Sequence, residues 1–244
     1  MPVLDALTFQ APATVRFGFG LSAEAGAALA AAGLKSALIV TDKGVARAGI
    51  LDRVQSSLTG AGLRHQTFAE VEPNPSVATV EKAFDVYLAG EFDGLVAVGG
   101  GSPMDTAKAV GILATNGGRI GDYEGLNRVR QAPAPLAAIP TTAGTGAEVT
   151  PWAVITDQRD KLKFGVGGPH SVPSMALVDP ELMLGLPPFL TAATGMDALT
   201  HCVEAYVSTN ENPALDPMIL YGIELIGRSL PVAVAKPSHR AARS

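Results

Sequence analysis

Over the first 180 residues, short apolar runs alternate with amphipathic stretches, and this alternation limits the possible folds more than any other feature. The apolar runs have the near-continuous hydrophobicity of strands buried on both faces, and they lie at 36–42, 94–98 and 136–139. A shorter strand candidate spans 65–70. Stretches with helical spacing of apolar residues follow the strands, at 45–63, 77–89 and 103–114. Alternating strands and helices predict a parallel sheet covered on both faces, which is an α/β fold.

The pattern changes near residue 185. Two long helical stretches follow, at 187–208 and 213–235, with no strand between them. We therefore expect an α/β domain at 1–185 and an all-helical domain at 186–244. Two helices alone bury little apolar surface, and the last residues turn polar and basic without a closing signal. This predicts that 186–244 is the first part of a larger, incomplete helical domain.

Composition excludes several classes of protein. A chain with 47% hydrophobic residues and a net charge of -5 is neither disordered nor a carrier of a broad basic surface for nucleic acid. The single cysteine, Cys202, allows no internal disulfide framework. There is no run of 18 apolar residues, and the first 11 residues lack the basic region of a signal peptide. We expect a cytoplasmic protein with no membrane or nucleic-acid partner.

The strongest local signal is the segment GGGSPMDTAK at 99–108, which follows a predicted strand and opens a predicted helix. Glycines let the backbone approach a ligand closely, and the free N–H groups at a helix start bind anions. The segment could instead be an ordinary tight turn. Three consecutive glycines exceed what such a turn requires, so the pattern favours a cradle for a pyrophosphate.

A second segment, PTTAGTGAEVT at 140–150, follows the predicted strand at 136–139. Ligands of open α/β sheets bind at the carboxyl ends of strands, where this loop would lie. Its threonine hydroxyls and glycines suit ligand binding, but a hydroxyl-rich loop that caps the next element has the same composition. The loop alone does not separate these two interpretations.

Two further polar residues are ambiguous by themselves. Asp42 ends a predicted strand, where a carboxylate can accept both hydroxyls of an adenosine ribose. It could equally cap the helix that follows, and helix-capping aspartates are common enough that capping is the simpler interpretation. Asn74 lies between two prolines, which is typical of a turn.

Asp197 and His201 are four residues apart on a predicted helix, so both project from one face. A carboxylate and an imidazole are suitable ligands for a divalent transition metal. Pairs at this spacing often only contact each other, so without further context an ordinary helix pair is the simpler interpretation.

Taken together, these segments resemble the iron-dependent (group III) alcohol dehydrogenase family. The resemblance rests on the two loops above and on LPPFLTAATGMDALTHCVEAYVS at 186–208, with shorter matches VTD at 40–42, NPS at 74–76 and VDPEL at 178–182. The matches occur in the family's order and cover essentially the whole chain. One departure is Ala147, where serine is common in the family.

The resemblance implies a Rossmann-like domain that binds NAD and a helical domain that binds a divalent metal, iron rather than zinc. The implied cofactor-binding residues are Asp42, Asn74, Gly100, Gly101, Ser102, Asp105, Thr141, Thr142, Thr145 and Lys163. Asp197 and His201 become two of four metal ligands, which reverses the simpler interpretation of that pair. The family's other two ligands are histidines further along its chain, and neither is assigned here.

The implied activity is metal-dependent hydride transfer between NAD and a small primary alcohol or diol, or its aldehyde. The metal would act as a Lewis acid on the alcohol oxygen, and no side-chain base is implied. The family is often oligomeric, which makes a homo-oligomer an expectation. The alternatives are a glycerol dehydrogenase-like or dehydroquinate synthase-like enzyme of the same superfamily, or a dinucleotide-binding module without catalysis.

Overall fold

A computed structural model describes residues 13–209 and 212–238. By their contacts these residues form two units. The first unit consists of 13–141 and 146–182, and the second consists of Thr142–Thr145 and the residues from 183 onward. The threonine-rich loop is therefore divided between them, since its middle is grouped with the second unit and its ends with the first. The domain boundary near 185 stays a prediction.

Within the described residues the strands all lie before residue 180 and are, in chain order, β1 (Thr14–Phe17), β2 (Ser36–Asp42), β3 (Arg64–Val71), β4 (Gly94–Gly99), β5 (Gly125–Leu126), β6 (Leu136–Pro140), β7 (Trp152–Asp157), β8 (Leu162–Gly167) and β9 (Met175–Val178). The helices are α1 (Ala25–Ala31), α2 (Lys43–Arg47), α3 (Ile50–Gly60), α4 (Val77–Ala89), α5 (Gly101–Asn116), α6 (Pro188–Val207) and α7 (Asp216–Ala235).

Six strands of the first unit form one parallel sheet in the order β1-β9-β6-β4-β2-β3. From β2 the chain goes outward to β3, and β4 then pairs with the opposite side of β2. After β4 the chain continues away from β2 through β6 to β9. The strand order therefore reverses between β2 and β4, which is the position where open α/β sheets form a ligand crevice at their carboxyl edge. The predicted α/β fold with a parallel, Rossmann-like sheet is confirmed.

The core of the first unit lies on both faces of this sheet because successive residues of a strand point to opposite sides. In β2, Leu38 and Val40 belong to a buried cluster that also contains Met104 of α5. Ile39, between them, belongs to a second buried cluster with Leu58 of α3. All four apolar residues from Ala37 to Val40 are fully buried, which explains the continuous apolar run in the sequence.

One predicted helix is wrong. The sequence predicted a single helix over 45–63, whereas the structure has α2 and α3 with a break at Gly49. Gly49 has φ 72°, a left-handed conformation that interrupts a right-handed helix. Ile50 and the rest of the predicted apolar face lie in α3, where Leu51, Val54 and Leu58 are buried.

A second, three-stranded sheet with the order β5-β8-β7 was not predicted. Its antiparallel strands β7 and β8 pair Trp152 with Gly167 at one end and Asp157 with Leu162 at the other. In β7 only Ala153 and Ile155 are buried. Such an alternation within six residues is a weaker signal than the continuous apolar runs of the main sheet.

Asp179 joins the beginning of the first unit to its end. Its fully buried carboxylate accepts bonds from the N–H groups of Gly20, Ser22 and Glu181, each at 3.0 Å, and from the Ser22 hydroxyl at 2.6 Å. These bonds hold the pKa of Asp179 below its usual value in spite of burial. The same two chain segments meet again where β1 pairs with β9.

The second unit is built on α6 and α7, close to the predicted helices at 187–208 and 213–235. The two helices approach each other closely at glycines. A Cβ atom on Gly195 would lie 2.3 Å from Leu230 Cδ1, and one on Gly222 would lie 3.2 Å from Cys202 Sγ. Little of either helix is buried, and Ala233 is the one buried residue of α7.

Among the described residues, α7 is long and apolar enough to cross a membrane, with a mean hydropathy of 1.5. The sequence predicted no membrane-spanning helix because no run of 18 residues is apolar throughout, whereas this criterion uses the mean hydropathy of a window. A single helix of this kind is weak evidence, since core helices of soluble proteins also pass the test by length and composition.

Candidate dinucleotide-binding site and metal ligands

The glycine segment forms the turn between β4 and α5 at the carboxyl edge of the main sheet. Gly99 has φ 151°, and a Cβ atom there would lie 2.6 Å from the Pro103 ring. Gly100 is the N-cap residue of α5, and no side chain caps this helix. The N-terminus of α5 therefore offers backbone N–H groups and a positive dipole end to an anionic ligand.

Hydrogen bonds to the backbone of β4 fix the strand ends beside this turn. The Thr141 N–H donates to the Gly99 carbonyl at 2.9 Å, which ties the start of the threonine loop to the glycine turn. On the other side, the Thr41 hydroxyl donates to the Val98 carbonyl at 2.8 Å. Both threonines are buried. The ends of β2, β4 and β6 therefore hold a fixed spacing at the edge where the strand order reverses.

The middle of the threonine loop, Thr142–Thr145, is grouped with the helical unit. Gly144 lies against α6, where an added Cβ atom would be 2.6 Å from the Thr194 carbonyl oxygen. Only a residue without a Cβ atom fits this approach of backbone to backbone. The proposed cofactor roles of Thr142 and Thr145 stay predictions.

Asn74, Ser102 and Lys163, which were predicted from separate segments of the sequence, lie together. The Asn74 N–H donates to Ser102 Oγ at 3.2 Å, and its side-chain Oδ1 accepts a bond from Lys163 Nζ at 2.8 Å. Its carbonyl accepts a bond from the Thr156 hydroxyl at 3.2 Å, a residue that the sequence did not single out. Asn74 has φ 56°, and these bonds hold it in that uncommon conformation.

Asp42 is the N-cap residue of α2. Its Oδ1 accepts bonds from the N–H groups of Gly44 at 2.7 Å and Val45 at 2.9 Å. The capping interpretation is therefore realised. A role with a ribose stays a prediction, and it is compatible with the cap because the carboxylate has a second oxygen.

A charged cluster around one buried lysine lies further along α5. Asp105 Oδ2 accepts a bond from the Val154 N–H at 3.1 Å, and burial raises the pKa of this carboxyl to about 6. Lys108, one helical turn later, is 2% exposed, and burial lowers its pKa to about 8. Burial also raises the pKa of Glu148, whose charge acts on Lys108. The Asp105 carboxylate thus holds β7, and its predicted contact with a diphosphate stays a prediction.

Asp197 and His201 lie on α6 with His201 Nε2 3.9 Å from Asp197 Oδ1. Both side chains are about half exposed. Their oxygen and nitrogen donors suit a divalent transition metal, but a catalytic site needs about three protein ligands. Within 13–209 and 212–238 no group of three His, Cys, Asp or Glu side chains is placed to hold a metal ion. The described residues therefore provide two donors and not a complete site.

A parallel sheet with an uncapped glycine turn at its reversal point is the architecture of doubly wound α/β proteins, whose ligands bind at the carboxyl edge of the sheet. Comparison with known families specifies this class further. The model of the iron-containing alcohol dehydrogenases matches residues 12–180, and the model of the C-terminal part of the same family matches 191–244. The chain belongs to the iron-containing alcohol dehydrogenase family, as the sequence motifs predicted.

Individual relatives agree with this assignment. Alcohol dehydrogenase 4 of Saccharomyces cerevisiae is 44% identical over 97% of this chain, which spans 62% of the yeast protein. The crystal structure of a 1,3-propanediol oxidoreductase superimposes with a TM-score of 0.95 at 41% identity, over 98% of this chain and 62% of the other. Sulfoacetaldehyde reductase from Bifidobacterium kashiwanohense, solved with NAD+, gives a TM-score of 0.91 at 34% identity, over 98% of this chain and 63% of the other. The chain thus spans about three fifths of the length of its relatives.

Proposed function

We propose that this protein binds NAD and takes part in hydride transfer between NAD and a small primary alcohol or diol, or the corresponding aldehyde. The observation that carries the proposal is the uncapped N-terminus of α5 at the reversal point of the sheet. Membership in the family and a relative solved with NAD+ support it.

In this proposal the N–H groups of Gly101 and Ser102 bind the diphosphate. Asn74 and Lys163 lie along the cofactor, and this role is supported by the bonds of Asn74 to Ser102 through its N–H and to Lys163 through its Oδ1. Asp42 accepts the hydroxyls of the adenosine ribose, and the loop threonines contact the cofactor towards its nicotinamide end. These residues bind and orient the dinucleotide, while the hydride chemistry belongs to the cofactor.

Asp197 and His201 would hold a divalent metal, with iron the preferred ion. When bound, such an ion supplies a Lewis acid for the alcohol oxygen. We also propose a cytoplasmic protein that acts on small molecules without a nucleic-acid or membrane partner and that forms homo-oligomers. The division into domains at 1–185 and 186–244 belongs to the same proposal.

Substitution of Gly101 tests the central contact. Gly101 lies in the first turn of α5 with a helical backbone, so valine can adopt its conformation but would extend a branched side chain where the diphosphate approaches. We expect Gly101→Val to weaken NADH binding at least tenfold, or about 1.4 kcal/mol, in a fluorescence titration. Gly121→Val is the control, because a Cβ atom on Gly121 meets nothing within 4 Å. If the Gly101→Val protein folds and its NADH affinity is unchanged, the segment is an ordinary tight turn and does not bind the diphosphate.

A dinucleotide-binding module without catalysis is the second candidate, favoured by the presence of only two metal donors among the described residues. Single-turnover oxidation of NADH with a small aldehyde, measured with added Fe²⁺ or Zn²⁺, separates the two. Saturable NADH binding without any metal-dependent oxidation would favour the module.

A further inference from the structure

Lys108 is a buried cation that no role discussed above uses. It lies on α5 seven residues after Gly101, which is about 10 Å along the helix axis. Its Nζ atom donates to the Trp152 carbonyl at 2.8 Å and to the Thr150 carbonyl at 2.9 Å, with the Thr150 hydroxyl at 3.4 Å. These three acceptors occupy the three N–H donors of an ammonium group, so Lys108 has no donor left for a ligand.

The bonds of Lys108 act at the far end of the threonine loop. The near end is held by the Thr141 N–H on the Gly99 carbonyl. Lys108 holds Thr150 and Trp152 against the same helix that begins at the glycine turn. Both ends of the loop are therefore anchored to β4 and α5, and the threonines at 142 and 145 lie between the anchors along the chain.

The surroundings of Lys108 explain why a charged residue is retained in the core. Asp105 precedes it by one turn and fixes the Val154 N–H of β7, while Glu148 faces it from the loop. Two carboxylates stabilise the buried ammonium, and the ammonium in turn reaches two carbonyl groups that no apolar side chain could bond. Lys108 joins α5 to Thr150 and to the first residue of β7, while Asp105 joins α5 to Val154 by a separate bond.

We propose that Lys108 is a positioning residue of the dinucleotide site, which sets the conformation of the threonine loop without touching the cofactor. This inference rests on the proposed function, because it assigns to Lys108 the alignment of a loop that contacts NAD. Loss of the ammonium group removes the bonds that hold Thr150 and Trp152 on α5 and so loosens this end of the loop. The loop then samples conformations in which its threonines no longer meet the cofactor, and NADH affinity falls although no contact atom has changed.

The test compares Lys108→Met, which keeps the stem and removes all three donors, with Lys82→Met, which replaces an exposed lysine of α4. NADH affinity is measured by fluorescence well below the unfolding temperature. Hydrogen exchange is followed by mass spectrometry. We expect Lys108→Met to weaken NADH binding about tenfold, to accelerate exchange over 141–152 and to leave exchange in β2 unchanged. Lys82→Met should behave as the unsubstituted protein. A lysine with only a structural role would change thermal stability but not the NADH affinity of the folded protein.

Lys108→Gln provides the test if Lys108→Met does not fold, because glutamine keeps two donors on a side chain one bond shorter. We expect it to weaken NADH binding by a smaller factor. A folded variant at position 108 with the affinity of the unsubstituted protein would overturn the positioning role and leave the proposed function intact. Failure of the unsubstituted protein to bind NADH would overturn the proposed function, and the positioning role with it.

Discussion

Asp42 combines two properties that one substitution can separate. Its Oδ1 caps α2, and its negative charge lies at the carboxyl edge of β2. Asparagine is as good an N-cap residue as aspartate but carries no charge. Asp42→Asn therefore keeps the two bonds to Gly44 and Val45 and removes only the electrostatic effect on a bound ligand.

Asp42→Asn should narrow a preference of the protein for NADH over NADPH, because the carboxylate repels a 2′-phosphate. We expect the ratio of the two dissociation constants to fall about tenfold, equivalent to about 1.4 kcal/mol. Fluorescence titration with both cofactors measures the ratio, and Asp52→Asn, an exposed acid in the first turn of α3, is the control. Equal affinities for NADH and NADPH in the unsubstituted protein would contradict the role of Asp42.

The lowered pKa of Lys108 predicts how the free energy of unfolding depends on pH. This pKa is about 8 in the folded protein, and in an unfolded chain a lysine keeps its proton to about pH 10.4. Between these values the unfolded chain binds the extra proton, so the free energy of unfolding rises with pH, by at most about 1.4 kcal/mol per pH unit. Urea denaturation from pH 7.5 to 10 measures this rise. The rise should be smaller in Lys108→Met, and an identical pH dependence in both proteins would contradict the lowered pKa.

At the scale of single residues, the sequence predicted the candidate ligand-binding residues better than it predicted the residues that fix the backbone around them. Asn74, Ser102 and Lys163 were predicted through family motifs, and they do lie together. Thr156 and Lys108 were missed, although Lys108 ends one of the motifs. A lysine on a helix usually faces water, and its burial under β7 depends on a sheet that the sequence pattern did not reveal.

Glycines in the helical unit provide a matched pair of substitutions. Gly195 of α6 and Gly227 of α7 both lie inside helices, where alanine is more stable than glycine by about 1 kcal/mol. A Cβ atom on Gly227 meets nothing within 4 Å, whereas one on Gly195 would lie 2.3 Å from Leu230. Gly227→Ala should therefore raise the free energy of unfolding by up to about 1 kcal/mol. Gly195→Ala should gain less or lose stability, because Leu230 must move. Chemical denaturation followed by circular dichroism distinguishes the two, and equal gains would mean that Leu230 relaxes freely.

Helices and strands with a strong sequence pattern were predicted more accurately than those with a weak pattern. The strands β2 and β4 are fully buried apolar runs, and the sequence located them within one residue. The helix α5 begins two residues earlier than predicted, because Gly101 and Ser102 at its start resemble a loop in sequence. The strands β7 and β8 depend on pairing with each other and on bonds from Asp105 and Lys108, which are long-range contacts that a local pattern does not contain.

At the scale of the molecule, metal binding should be weaker than dinucleotide binding. The described residues offer two half-exposed donors, Asp197 and His201. We expect the 244-residue protein to retain less than one Fe²⁺ or Zn²⁺ per chain after dialysis, as measured by elemental analysis. We expect His201→Ala to leave NADH affinity unchanged. Full occupancy by one ion in both proteins would show that Asp197 and His201 are an ordinary helix pair.

The pairing of β1 with β9, together with the bonds of Asp179 to Gly20 and Ser22, has a consequence for synthesis of the chain. Gly20 and Asp179 are 159 residues apart, and at roughly 5–20 residues per second the ribosome needs about 8–30 s to make that distance. During this time β1 has no strand partner among the described residues, because in the main sheet it pairs only with β9. Until β9 is made, β6 is an open edge of the growing sheet in addition to β3, and an open edge is a site for wrong pairing between chains. Of the strands that the structure describes, β1 is therefore made first but joins the sheet only after β9 has been made.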